Sequence, residues 1–274
     1  MHKPAANRMD DHHRAFTKLF QQNCDRHRPH TVFSDFCEMS AISISNAVDL
    51  AQYDEREARY LQIAGTYERE ELNRFAQMLA CVVQALEDGM HDCLGKLFMA
   101  LEMASHWKGQ YFTPWEICGL MACLTTTDAR DVIQAKGFLT VMEPAAGAGA
   151  MVIAIADALR ERGLNYQQCM HATAVDVDET AAHMCYVQLA LLHVPAVVVV
   201  GNSLSLEERG HWLTPAHVIG VWERRLRLVQ AAADMQALLL QPSASEEARA
   251  DDAVVEATPT TSHRPASLMQ ADLF

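Results

Sequence analysis

GFLTVMEPAAGAGAMVIAIADALRERG, residues 137–163, decides the fold. A short apolar run ends in the carboxylate of Glu143, passes through Gly147 and Gly149 with one alanine between them, and enters a stretch of helix formers that Gly163 closes. This order predicts a strand, a glycine turn and a helix. Glycine permits a tight turn and the close approach of a ligand to the backbone, and the first turn of a helix presents N–H groups that have no partner of their own. The alternation then repeats. HATAVDVD (171–178) predicts a second strand, ETAAHMCYVQLALLHV (179–194) a helix closed by Pro195, and AVVVVGNSL (196–204) a third strand. A βαβαβ order implies a parallel sheet built by right-handed crossovers.

The flanks differ in kind. Residues 10 to about 105 carry apolar residues at helical spacing, among them Phe16, Leu19 and Phe20, then Leu72, Phe75, Met78, Leu79, Val82 and Leu86. Asp88-Gly89 interrupts them, and DCLGKLFMALEMAS (92–105) resumes a helix before the loop HWKGQYFTP. After Leu204 the chain reads as helix rather than strand, with one long helix expected from Thr214 to Leu240, so the second half of the sheet is missing. From Gln241 the composition turns to Pro, Ser, Ala, Thr and acid, which cannot bury enough apolar surface to order itself. The expected organisation is a helical region over 1–105, an α/β domain over 106–240 and a flexible tail over 241–274.

A glycine turn after a strand suits a dinucleotide as well as a nucleoside, and it also occurs without a ligand. Two carboxylates narrow the choice. Asp176 ends the second strand, where a side chain can accept both hydroxyls of a ribose. Glu143 beside the turn would repel a pyrophosphate but attract a cationic amino group.

GQYFTP (109–114), EPAAGAG (143–149) and AVDVD (174–178), in that order, resemble the motifs of N6-adenine DNA methylases, with the methylation subunits of type I restriction-modification systems the most similar group. DCLGKLFMAL before GQYFTP looks like that group's helix and entry loop. The resemblance covers about residues 90 to 204. It implies an incomplete Rossmann-like α/β sheet of methyltransferase type and S-adenosylmethionine as cofactor. Tyr111, Phe112, Thr113 and Pro114 would line the methionine end. Glu143, Ala145, Gly147 and Gly149 would form the turn beneath it, Asp176 would hold the ribose, and Val177 would lie beside the adenine. Asn202 stands where the family often has an aspartate, and its amide oxygen can still accept from the adenine amino group.

The same resemblance marks a gap. Such enzymes carry Asn-Pro-Pro-aromatic or Asp-Pro-Pro-aromatic to grip the flipped base, and no such tetrapeptide occurs in this chain. No catalytic residue is identified, and a target-recognition region is absent. Three readings stand: a non-catalytic, DNA-associated or regulatory module that binds the cofactor, an active methyltransferase that needs a partner subunit, and a relic with an empty pocket.

Composition bounds the partners. The net charge of −13 gives no basic footprint for DNA, so any DNA is expected to be bound with a partner's help. The densest basic runs are Arg224, Arg225 and Arg227 beside Trp222, and Arg26, His27 and Arg28. Eight cysteines without a CxxC pair read as reduced, buried thiols rather than a metal site. No apolar stretch is long enough for a membrane span and no secretory signal is recognised, so a cytoplasmic location is expected. The final QADLF resembles the peptide by which bacterial replication and repair proteins bind the sliding clamp. That resemblance assigns Gln270, Asp272, Leu273 and Phe274 to the contact.

Overall fold

The computed structural model describes residues 5–101 and 112–239. The residues up to Leu226 form one compact unit, and those from Arg227 a second. Among the described residues the first unit opens with the α-helices α1 (Ala5–Cys24), α2 (Pro29–Ser45), α3 (Tyr53–Ala64), α4 (Arg69–Glu87) and α5 (Cys93–Ala100). The α/β part follows with α6 (Trp115–Thr125), α7 (Ala129–Lys136), β1 (Leu139–Glu143), α8 (Ala150–Glu161), the short α9 (Tyr166–Cys169), β2 (Met170–Asp176), α10 (Glu179–Leu191), β3 (Ala196–Asn202), β4 (Glu207–Leu213), α11 (Pro215–Ile219) and α12 (Trp222–Leu239).

The three expected strands pair in parallel in the order β1-β2-β3, with Val141 opposite Ala172 and Ala174 opposite Val198. Right-handed crossovers that step in one direction put their helices on one face, which places α8 and α10 together. α10 is buried on every side from Thr180 to Ala190, because α2 packs on its far face. The helical region and the sheet therefore share one core. A run of tilted rings, Phe33 on Phe98 at 5.6 Å and Phe98 on Phe112 at 5.2 Å, carries that core up to the mouth of the sheet.

Two expectations after Leu204 need correction. β4 pairs antiparallel with β3, Val198 opposite Trp212, and closes that edge of the sheet. Its sequence EERGHWL exposes Glu207, Glu208 and Arg209 and buries only Trp212, as suits a charged edge strand that pairs through its backbone alone. The single helix expected from Thr214 to Leu240 is two. Thr214 caps α11 by accepting from the His217 N–H, and Val221 then takes a left-handed φ of 51°, which ends one helix and starts the next. Trp222, at the head of α12, packs edge-on to Phe138 and over His171. The opposite edge of β1 has no strand beside it among the described residues.

His171 of β2 and His217 of α11 are both buried and share a hydrogen bond of 2.8 Å. Burial, the neighbouring His217 and Arg225 push His171 down to about 4, and burial also takes His183 to about 4. A histidine of the unfolded chain titrates near 6.5. Between these values the unfolded state binds more protons, so the contribution of His171 is present above about pH 6.5 and is lost as pH falls towards 4. Replacing His171 by Asn removes this dependence while leaving the carboxylates unchanged. The stability advantage of the wild type over His171→Asn, measured by urea unfolding, should shrink from pH 7 to pH 5; a constant or growing advantage contradicts the assignment.

Candidate functional site

The glycine turn is held from below by backbone. The Ala146 N–H donates to the Val175 carbonyl of β2 at 2.8 Å, and the Gly149 N–H donates to the Ala146 carbonyl at 2.8 Å. Gly147 has φ 53° and Gly149 φ 94°, values that side chains rarely accept. A Cβ on Gly147 would stand 2.8 Å from the Phe112 ring, and one on Gly149 would stand 2.9 Å from Cys185 Sγ. Both positions need glycine for conformation and for space.

Above the turn opens a cleft of about 570 Å³, within the usual range of small-ligand sites. Phe112, Thr113, Glu143, Ala145, Gly147 and Asp176, all expected from the sequence, line it. Pro114 and Gly149, at the N-cap positions of α6 and α8, are not in the lining. Val177 is exposed beyond the end of β2 and is not part of the lining. Asn202 lies at the end of β3, also outside the lining, where its Oδ1 accepts from the Leu204 N–H at 2.9 Å. Tyr111 and residues Gln270, Asp272, Leu273 and Phe274 lie outside the described residues.

The two carboxylates face the cleft together. Asp176 Oδ2 accepts from the Gly147 N–H at 2.7 Å and Oδ1 from the Asp178 N–H at 2.9 Å. Each oxygen keeps a further lone pair for a ligand hydroxyl. Glu143 Oε1 accepts from the Ala145 N–H at 3.3 Å. Burial raises the Glu143 carboxyl above its ordinary value, the Ala145 N–H opposes this, and the nearby Asp176 adds to it. A cationic ligand would relieve that repulsion.

Sequence reading missed the far wall. Cys118 and Met121 of α6 stand one helical turn apart and line the cleft opposite Glu143. It also missed what fixes the turn from behind. Gln188, fully buried on α10, donates to the Ala148 carbonyl at 2.8 Å and to Asp92 Oδ1 at 2.9 Å, and its own oxygen accepts from the Leu94 N–H at 2.9 Å. Asp92 caps α5 by accepting from the Gly95 N–H at 2.8 Å. A Cβ on Gly95 would collide with that carboxylate at 2.0 Å. The Asp-x-x-Gly of DCLG is thus a cap tied to the cleft, a role no local pattern in α10 announces.

A larger cleft of about 680 Å³ lies elsewhere, lined by Glu38, Arg56, Arg59 and the β4 residues around Trp212. Its cations are engaged. Arg56 pairs with Asp49 at 2.8 Å, donates to the His211 carbonyl at 2.7 Å and stacks on Trp212 at 4.1 Å. Arg59 forms a two-pronged pair with Glu38. The basic runs seen in the sequence are likewise committed in part: Arg225 lies 3.6 Å over Trp222, Arg26 pairs with Glu68, and His27 with Glu71.

The domain is an incomplete Rossmann-like sheet of methyltransferase type, with one carboxylate at the tip of β1 beside the turn and a second at the tip of β2. Residues 92–227 match the family model described as N-6 DNA Methylase. No curated protein matches the chain. Among solved structures it is similar to a Listeria monocytogenes protein described as a class I S-adenosylmethionine-dependent methyltransferase (17% identity, TM-score 0.36, 70% of this chain and 54% of that one). It is also similar to DrdV in complex with DNA (13% identity, TM-score 0.37, 83% of this chain and 28% of that one). The chain thus spans about half the length of the first and under a third of the second.

Gln188→Leu keeps the volume but strips partners from a buried carboxylate, an N–H and a carbonyl, each expensive to leave unpaired. The variant should lose about 3 kcal/mol or more of stability, read from the urea midpoint. A loss under about 1 kcal/mol would show that the link is incidental.

Proposed function

We propose that the chain binds S-adenosylmethionine in the cleft above the glycine turn and acts as a non-catalytic, DNA-associated module of the N6-adenine methylase family. The observation that carries this reading is the pair Glu143 and Asp176 facing one cleft across a left-handed glycine turn. Asp176 suits a ribose, Glu143 suits the cationic amino end, and Phe112 with Met121 offers an apolar wall for the rest. The lack of a Pro-Pro-aromatic tetrapeptide supports the non-catalytic part. No helix among the described residues is long and apolar enough to cross a membrane.

One observation favours a second reading, an enzyme completed by a partner subunit. In doubly wound sheets the ligand sits where strand order reverses, between the first strand and the one added on its other side. Here that side of β1 is open among the described residues. Ile117, Leu120, Met121 and Leu124 form an exposed apolar stripe on α6. A polypeptide that added strands to β1 would complete the switch point.

The terminal Gln270, Asp272, Leu273 and Phe274 are proposed, on their sequence pattern, as a sliding-clamp contact that would bring the module to replicating DNA.

Calorimetry should give saturable heat with S-adenosylmethionine, weakened about tenfold or more in Asp176→Ala by loss of a charged acceptor; no heat from folded protein refutes the cofactor reading. Tritiated methyl should not pass to DNA from the chain alone. Transfer by the isolated chain overturns the non-catalytic reading, and transfer only with a co-purifying polypeptide establishes the second. Removing residues 270–274 should abolish retention on immobilised bacterial clamp, and unchanged retention removes that contact.

A further inference from the structure

Away from the cleft, the head of α5 gathers three soft or borderline donors from two parts of the chain. His13 comes from α1, and His91 and Cys93 flank the cap residue Asp92. Their ligand atoms all lie within 4.8 Å of one another. Cys93 Sγ stands 3.4 Å from His13 Nε2, and the two imidazole rings are tilted with centroids 5.7 Å apart. For a tetrahedral zinc with bonds of about 2.0 Å to nitrogen and 2.3 Å to sulfur, neighbouring donor atoms fall about 3.3–3.6 Å apart. The present cluster needs only a small closure to reach that spacing.

The decisive atom is His91 Nε2. Its other ring nitrogen, Nδ1, lies 2.7 Å from the Gly89 carbonyl, which can only accept, so Nδ1 must carry the proton. That fixes the tautomer and leaves Nε2 as a bare lone pair. The residue is only 7% exposed, and Nε2 has no hydrogen-bond partner among the described residues. A buried lone pair without a partner is unfavourable by about 1–3 kcal/mol. A backbone carbonyl holding one nitrogen while the other is left free is how metal-binding histidines are oriented.

We propose that His13, His91 and Cys93 bind a divalent transition-metal ion, with zinc the best match to this N₂S donor set. Cys93 is fully buried at the first position of α5, where burial and Asp92 raise its thiol, so a bound metal would have to displace that proton. A groove of about 430 Å³ borders His13, with Asp10 and Lys96 also in its lining. The bound ion would clamp α1 to the head of α5. Asp92, between the two α5 ligands, holds Gln188 and through it the Ala148 carbonyl, so the clamp would steady the frame of the cleft without entering it.

The test is cobalt and zinc binding by the full chain after stripping with a chelator. One equivalent of Co²⁺ should produce a thiolate-to-cobalt charge-transfer band that Zn²⁺ abolishes. The band should vanish in Cys93→Ser, weaken at least about tenfold in affinity in His91→Ala, and persist in Cys123→Ser, which alters an exposed thiol. Zinc, but not magnesium, should raise the melting temperature of the stripped protein. Should Cys93→Ser fail to fold, X-ray absorption of the zinc-loaded wild type decides, with one sulfur and two imidazole nitrogens expected. Folded wild type that takes up no cobalt, a band that survives in Cys93→Ser, or a zinc shell without sulfur overturns the proposal; a buried water on His91 Nε2 would then be its occupant.

Discussion

A single buried amide holds the cleft in register with the helices behind it. Gln188 spends both its donor hydrogens and its oxygen on three elements: the carbonyl of Ala148 in the glycine turn, the carboxylate of Asp92 and the N–H of Leu94. Burial raises the Asp92 carboxyl, while the Gln188 and Gly95 donors oppose that shift. The amide cannot leave without exposing groups that water does not reach. The left-handed glycines, the run of rings ending on Phe112 and the cap of α5 are all positioned relative to this point. Because α10 also bridges the sheet to α2, a displacement at Gln188 would reach both the turn and the helical core.

Legibility in the sequence followed the kind of force at work. Strands β1 to β3 and the helices between them could be read because burial on a parallel sheet leaves short apolar runs separated by glycine and proline. Glu143, Gly147 and Asp176 were legible because chain reversal at a strand end needs particular residue types. β4 was not, since EERGHWL contributes backbone hydrogen bonds and one indole, and neither leaves a periodic apolar trace. Gln188 was hidden for the opposite reason: a helix buried on every side has no polar face against which one functional amide would stand out. The helix DCLGKLFMAL could be named by resemblance, but the role of Asp92 in it, a carboxylate lying where any side chain on Gly95 would be, exists only in three dimensions.

Electrostatics separates the two halves of the functional reading. The cleft concentrates negative charge at Glu143 and Asp176, which suits a cationic nucleoside and repels a phosphate backbone. Several cations of the described residues are tied down: Arg56 by Asp49 and Trp212, Arg59 by Glu38, Arg225 by Trp222. With a net charge of −13, long-range attraction to DNA is weak. On the proposed reading a cationic cofactor would be drawn to this site, whereas DNA would need to be brought to it. That asymmetry makes a tethering peptide or a basic partner a physical requirement of any DNA-directed role rather than an embellishment.

The open edge of β1 gives the same division a structural form. Among the described residues, the cleft is shaped by the turn after β1, Asp176 on β2, Phe112 and α6, with Gln188 behind the turn. Catalysis on a base would require groups presented from the open side of β1, where the strand order of a doubly wound sheet reverses. The described sheet therefore holds the cleft proposed for the cofactor in shape through its own hydrogen bonds. Loss or outsourcing of the chemistry would leave this cleft intact, which is why a well-formed turn argues for binding and is silent on transfer.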